Sequence, residues 1–198
     1  MHIRPATRAD SADIVILDDI ASSGLASHVL QVGVREGKYD RPLEFGRDGY
    51  AFMDGLYSWK NVLIAETEDG IAGMSLSFDL TGGPGDKGLP DPVLDPLEAL
   101  KAQAVGTRMI DSVAVYTRFR GRGIGRALVE AELARAAGSS SIITDDTNAR
   151  ALALYQSLGF AEQARAPFIA FSDNHAATHW VLLTRPARNP RGAPASAQ

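Results

Sequence analysis

The chain has 198 residues, with 20 Lys and Arg against 24 Asp and Glu, a formal net charge of -4, and 45% hydrophobic against 22% charged residues. These values fit one soluble globular domain with a substantial core and exclude collagenous, wholly disordered and coiled-coil architectures, while the net acidity offers nothing general to nucleic acid or to an anionic membrane. Cysteine is absent, which excludes disulfides, thiolate metal sites and cysteine nucleophiles; with no apolar run at the N-terminus and no window of about 18 consecutive apolar residues, a cytoplasmic protein is expected.

His2 to Pro5 reads as a first short strand. Thr7 and Asp10 favour a helix N-terminus, Asp10 and Asp13 suit the positive end of its dipole, and Ala12, Val15, Ile16 and Ile20 recur at helical spacing up to about Ser22. Residues 26–58 are predicted as a second helical piece with loops, interrupted by Gly33, Gly37, Gly46, Gly49 and Gly55. Two strands, Trp59 to Glu66 and Ile71 to Phe78, meet through Asp69-Gly70, a hairpin dipeptide. Residues 81–107 are predicted as a surface insertion: a loop with Gly82, Gly83 and Gly85, then a short helix supplied with a cap, a first-turn proline and an acid by Asp95, Pro96 and Glu98.

Arg108 to Tyr116 is the next strand, and the helix that follows, with Ile124, Ala127, Leu128, Ala131 and Ala134 on one face, reads as the most amphipathic of the chain. Ser141 to Thr144 predicts a short strand. Asp145, Asp146 and Thr147 then offer caps to a helix bearing Ala151, Leu154, Tyr155 and Leu158, stopped by Gly159. Strands over Ala166 to Phe171 and His179 to Thr184 close a single domain of residues 1–185, and 186–198 are expected to be a disordered tail. Hairpin strands in the middle and strand–helix alternation in the second half predict an α/β fold, a mixed antiparallel and parallel central sheet flanked by helices.

The run VAVYTRFRGRGIGRALVEAEL carries the chemistry. From Arg108 to Gly138 six arginines stand against Asp111, Glu130 and Glu132, a local excess of positive charge in an acidic chain. A Gly-rich turn entering a helix presents unpaired backbone N–H groups, the positive end of the helix dipole and no Cβ obstruction, which together suit a phosphate. A GxxxxGK[ST] loop is excluded because no lysine stands nearby, and a GxGxxG fingerprint starting at Gly121 fails at Arg126. Arg120-Gly121-Arg122-Gly123-Ile124-Gly125 instead resembles the (Q/R)xxGx(G/A) pyrophosphate loop of the GNAT superfamily of acyl-CoA-dependent N-acyltransferases. The later run TNARALALYQSLGF resembles the rest of that superfamily's cofactor half, with its Asn, Tyr and closing GF at the family's spacing. The resemblance is strong over about 108–160, whereas residues 2–78 agree only in the order of their elements.

That resemblance implies acetyl-CoA as donor and an amine as acceptor, of a small molecule or a peptide. It implies that backbone groups of Val113 and Val115, with Ala114 between them, bind the pantetheine arm. Arg120, Gly121, Arg122, Gly123, Ile124, Gly125 and Arg126 would hold the pyrophosphate, Asn148 would contact the pantetheine region, and Tyr155 would stand near the thioester sulfur as general acid. Asp111 is the candidate base: strand alternation sets it on one face with Val113 and Val115, on the strand where many relatives carry a catalytic glutamate.

A thioester is already activated toward amines, so positioning and proton management suffice. A lysine-like amine of pKa about 10.4 must lose a proton near pH 7, at roughly 4 to 5 kcal/mol, against about 1 for an α-amine. No metal is expected, because His175 and His179, though four apart, lack an evident third ligand. Acceptor choice is expected to reside in 26–58 and 81–107, where Asp40, Glu44, Asp48 and Asp54 can attract a cation. Two other uses stay open: a protein N-terminal or lysine acetyltransferase, and a non-catalytic acyl-CoA-binding module. A homodimer is compatible with either.

Overall fold

Seven strands form one sheet in the order β1-β2-β3-β4-β5-β7-β6 in a computed structural model that describes residues 1–83, 90–173 and 175–187. The strands are β1 (His2–Pro5), β2 (Val62–Thr67), β3 (Gly70–Asp79), β4 (Arg108–Val115), β5 (Ser140–Asp145), β6 (Ala161–Pro167) and β7 (His179–Arg185). Only β4 and β5 pair in parallel; every other neighbour is antiparallel, β2 and β3 through the Asp69-Gly70 turn, with Gly70 at φ +102°. The expected mixed sheet is therefore present, flanked by α1 (Ser11–Ala21), α2 (Leu25–Arg35), α3 (Pro42–Phe52), α4 (Asp95–Gln103), α5 (Ile124–Arg135) and α6 (Ala149–Ser157). Among the described residues, no helix is long and apolar enough to cross a membrane.

The larger core lies between the sheet and α1 to α4, built on Ile14, Leu17, Ile64, Met74, Leu76, Leu100 and Leu182. A second cluster joins Ile110, Val129, Ile142, Tyr155 and Val181, and a third joins Leu63, Ala72, Phe119, Ile124 and Leu128 beneath α5. Ile64 is fully enclosed, so Ile64→Val, which deletes one methyl group, is expected to cost about 1 kcal/mol. Urea denaturation checks this, and an unchanged midpoint would mean that the site is less tightly packed than it looks.

Several elements depart from the sequence pattern for identifiable reasons. In α1 the buried stripe is Ser11, Ile14, Val15, Leu17 and Asp18, whereas Ala12, Ile16 and Ile20 face outward; the apolar spacing marked the wrong face because a polar residue occupies the right one. The stretch 26–58 contains two regular helices, α2 and α3, and two of its glycines are packing points. A Cβ on Gly33 would stand 2.6 Å from Phe45, and one on Gly46 would stand 2.6 Å from Val15 and 2.7 Å from Leu30. Trp59 to Asn61 is a 3-10 turn that precedes β2.

The helix expected within the 81–107 insertion is α4, which belongs to the core: Leu100 is fully buried and the helix packs on β6. Gly85 lies outside the described residues. In α5, Ala134 is exposed, Leu128 and Val129 serve different clusters, and Glu132 is fully buried. The helix is thus enclosed on two sides rather than amphipathic in one stripe. Glu132 accepts hydrogen bonds from the hydroxyls of Ser75 and Ser77 and from Arg135, which satisfies a carboxylate that would otherwise be costly to bury. Strand β6 starts at Ala161, five residues earlier than expected, and stops at Pro167, four residues earlier, and Phe168 and Phe171 instead cluster with His175 and Trp180. From residue 188 onward the expected tail lies outside the described residues.

Candidate active site

The site starts where two strands part. β4 and β5 pair only from Arg108 opposite Ser140 to Ile110 opposite Ile142. Beyond that point β4 stays on β3 as far as Val115, and β5 stays on β7 as far as Asp145. A bulge helps to part them: Ser77 faces Ile110 and Leu76 faces Ser112, leaving Asp111 as the extra residue on β4. Tyr116 donates its N–H to Ala72 at 2.9 Å. By the alternation of strand polar groups, Ala114 is therefore also directed at β3, and the backbone groups of Val113 and Val115 are directed into the gap. The Val115 carbonyl is reached there by Arg120 Nε at 3.0 Å.

At the mouth of the gap lies the basic turn. Gly121 and Gly123 adopt left-handed φ of +80° and +79°, and a Cβ at either would meet nothing within 4 Å. The turn thus needs glycine for its conformation and leaves open space on the same side. The first internal hydrogen bond into α5 runs from Ala127 N–H to the Gly123 carbonyl at 3.1 Å, so the N–H groups of Ile124, Gly125 and Arg126 have no partner within the helix. Phe119, buried beneath, supports the guanidinium groups of Arg118 at 4.6 Å and Arg122 at 5.5 Å from its ring centre. Arg126 ties the turn to α6 through Ser157 at 2.7 Å.

The gap opens into a cavity of about 910 Å³ lined by Val113, Ala114, Val115, Arg120, Gly121, Gly123 to Arg126, Asn148 and Tyr155. Arg122 does not line it. Asn148 is exposed and caps α6, accepting the Ala151 N–H at 3.2 Å; its amide N–H groups take no part in that bond. Tyr155 is 7% exposed and stands edge-on to Phe160. Burial holds its phenol well above the ordinary value, so the hydroxyl remains a donor throughout the neutral range.

The bulge overturns the expected placement of Asp111. Val113 packs with the α5 and α6 clusters, whereas Asp111 belongs to a polar group on the α1 side of the sheet. Its carboxylate lies 3.5 Å from Tyr57 Oη, 3.8 Å from Lys101 Nζ and 3.4 Å from Ser112 Oγ. Simple alternation fails because the extra residue reverses the phase.

Sequence spacing also missed the neighbour of Asp111. Asp18, 8% exposed on α1, accepts hydrogen bonds from Ser112 Oγ at 2.6 Å and Tyr50 Oη at 2.9 Å. Ser112 thereby stands between two carboxylates that both line the cavity. Burial pushes the Asp18 carboxyl up to about 6; the Ser112 hydrogen bond opposes this and the Asp111 charge adds to it. Lys101 lies among Tyr57, Glu98 and Asp111; burial pulls its ammonium down, but those three hold it above the ordinary lysine value. The sequence signal for Asp18 was its position three residues after Val15 and four after Ile14, inside a buried helical stripe.

A carboxyl whose folded pKa exceeds its unfolded value of about 3.9 takes up a proton on folding between the two. The stabilising contribution of Asp18 is accordingly full below pH 4 and lost as pH rises through about 6. Relative to Asp18→Asn, the protein is expected to lose stability between pH 4 and 6 and to change little above pH 7. Urea unfolding across that range checks this, and a parallel pH dependence in the two proteins would contradict it.

Asp145 and Asp146 act locally. Asp145 accepts from Thr147, and Asp146 accepts from Thr178 N–H at 3.0 Å and Thr178 Oγ1 at 2.6 Å. His179 lies on Thr178 and Asp146, while His175 stacks 4.0 Å from the Phe171 ring centre, so these two histidines occupy different surroundings. Asp54 pairs with Lys60 at 2.7 Å and lines the cavity, whereas Asp40, Glu44 and Asp48 do not line it.

The family model described as an acetyltransferase (GNAT) domain matches residues 58–162, more than half of the chain. No curated protein sequence matches the chain. Among solved structures, the chain is similar to an N-acetyltransferase from Staphylococcus aureus Mu50, at 20% identity over 93% of this chain and 100% of that one, with a TM-score of 0.65. It is also similar to yncA of Salmonella typhimurium, solved with its cofactor acetyl-CoA, at 18% identity over 100% and 99% of the two chains with a TM-score of 0.61. A third is an acetyltransferase of Streptococcus agalactiae 2603, at 15% identity, 95% and 96% coverage and a TM-score of 0.55. At such identities the likeness is one of fold.

Proposed function

Since the chain belongs to the GNAT acetyltransferase family, we propose that it is an N-acetyltransferase that carries the acetyl group of acetyl-CoA to an amine by direct attack on the thioester. The observation that supports this reading best is the cavity that runs from the glycine turn at Gly121 and Gly123, along the free edge of Val113 and Val115, to Tyr155.

The N–H groups that open α5 hold the pyrophosphate, with Arg120 and Arg126 beside them adding charge and the helix dipole aligned with it. Arg122 acts from outside the cavity, through the local positive field. The backbone of Val113 and Val115 takes the pantetheine amides as a neighbouring strand would, and Asn148 borders the same passage. The thioester supplies an acyl carbon open to an amine. The C–N bond forms as the C–S bond breaks; the amine proton passes to Asp111, which Ser112 links to Asp18, and Tyr155 Oη returns a proton to the sulfur. A phenol is protonated at neutral pH whether or not it is buried, and although burial makes Tyr155 a weaker acid, it raises the proton affinity of a thiolate formed beside it in the same direction.

Incubation of the purified protein with acetyl-CoA and a panel of amines, with released thiol followed by colour, tests the reading. Acetyl-CoA-dependent thiol release with at least one amine is expected. Tight acetyl-CoA binding without release on any amine would instead mark a binding module.

A further inference from the structure

The part of the cavity that the donor does not explain lies on the side of the sheet held by α1 to α4. Much of its wall is apolar: Leu25 and Leu30 of α2, Phe45 of α3, Leu97 of α4 and Phe168 after β6 all line it. Set among them are Asp18 and Asp111, joined through Ser112. Two basic residues line this side: Lys101, already surrounded by Glu98 at 3.4 Å, Asp111 at 3.8 Å and the Tyr57 hydroxyl at 3.3 Å, and His175, whose ring packs on Phe168 and Phe171. The other basic residues that line the cavity and are always charged are Arg120, Arg126 and Arg150, at the starts of α5 and α6.

This distribution has a direct chemical consequence. An acceptor bearing a carboxylate or phosphate would set a like charge beside two carboxylates, with the nearest ammonium already engaged. A cationic amine on an apolar body meets the opposite situation, since its ammonium is drawn to the carboxylates while its body covers the apolar walls. Resting on the acetyltransferase reading, we propose that the acceptor is a small primary amine on an aliphatic or aromatic body without an anionic group, its ammonium received between Asp18 and Asp111. The groups that interact with Asp18 are Ser112 and Asp111 of β4, Tyr50 of α3, Tyr57 ahead of β2 and Asp19 of its own helix. Their balance is anionic, and a carboxyl pushed up to about 6 by burial is charged at neutral pH.

Matched acceptors test the proposal without knowledge of the natural one. Phenethylamine against phenylalanine, and isoamylamine against leucine, each differ by one carboxylate, and an apolar peptide with an amidated C-terminus forms a third arm. With saturating acetyl-CoA, kcat/KM is expected to be at least about 30-fold higher for each free amine than for its amino acid. In Asp18→Asn/Asp111→Asn that ratio is expected to fall to about threefold, with acetyl-CoA affinity changed by less than about twofold. The ratio is the informative quantity, because loss of a base or of packing lowers both members of a pair together. Equal or better use of the amino acids, or acetylation of the peptide alone, overturns the acceptor class and leaves the acetyltransferase reading standing. Inert free amines with intact acetyl-CoA binding overturn the acceptor class as well, and the acetyltransferase reading then rests on the wider amine panel, whereas absence of acetyl-CoA binding overturns the acetyltransferase reading itself.

Discussion

Tyr155→Phe is expected to lower kcat for acetyl transfer by about 100-fold while leaving acetyl-CoA affinity within about twofold of the wild type. The substitution removes one oxygen from a side chain whose ring is otherwise held by the Ile110, Val129, Ile142 and Phe160 cluster, so the fold and the cavity walls persist. What disappears is a donor that is protonated at neutral pH. A departing thiolate then loses the phenol as its proton donor, and the loss falls on the step in which charge develops on sulfur. Steady-state thiol release together with calorimetric binding separates the two quantities. Unchanged turnover would remove Tyr155 from the chemistry and return it to the packing of α6.

Gly123→Asp/Gly125→Asp is expected to weaken acetyl-CoA binding by more than about 100-fold. Gly123 sits at φ +79°, where a side chain costs about 1 to 2 kcal/mol, and Gly125 begins the first turn of α5. Each new carboxylate is placed at the positive end of the helix, where the pyrophosphate needs to lie, and repels it. Neither position is crowded: a Cβ at Gly123 meets nothing within 4 Å, and one at Gly125 meets only Val115 Cγ2 at 3.9 Å. The double variant should therefore fold, which a circular dichroism melt verifies before the binding measurement. Retained affinity in a folded variant would place the phosphate elsewhere.

How much of this site could be read in the chain depends on what kind of interaction makes each part. The glycine turn was legible because its features are local: a strand end, glycines, arginines and a helix start all fall within residues 113–126. Tyr155 and Asn148 were legible for the same reason, as members of one helix and its cap. Asp18 was not, because apolar residues at 12, 16 and 20 draw the eye to a stripe that in fact faces outward. Its acidic character disguised its burial, and its partners Tyr50 and Ser112 lie 32 and 94 residues away. Asp111 lines the cavity as expected, but the alternation that placed it there does not hold. Alternation along β4 is broken by a bulge that becomes visible only when β3 is laid beside it. Gly33 and Gly46 read as breaks within 26–58 and prove to be the close contacts of α2 and α3, since a helix that must approach another closely needs the same residue that a loop does.

The most direct test of the account is calorimetric titration of the purified wild-type protein with acetyl-CoA. A saturable isotherm with one site per chain, suppressed by prior addition of free CoA, is the predicted result, because the N-terminus of α5, the free edge of β4 and Tyr155 form one passage of fixed polarity. An isotherm without heat, at protein and ligand concentrations that would detect millimolar binding, would contradict the central claim and leave the glycine turn without its phosphate.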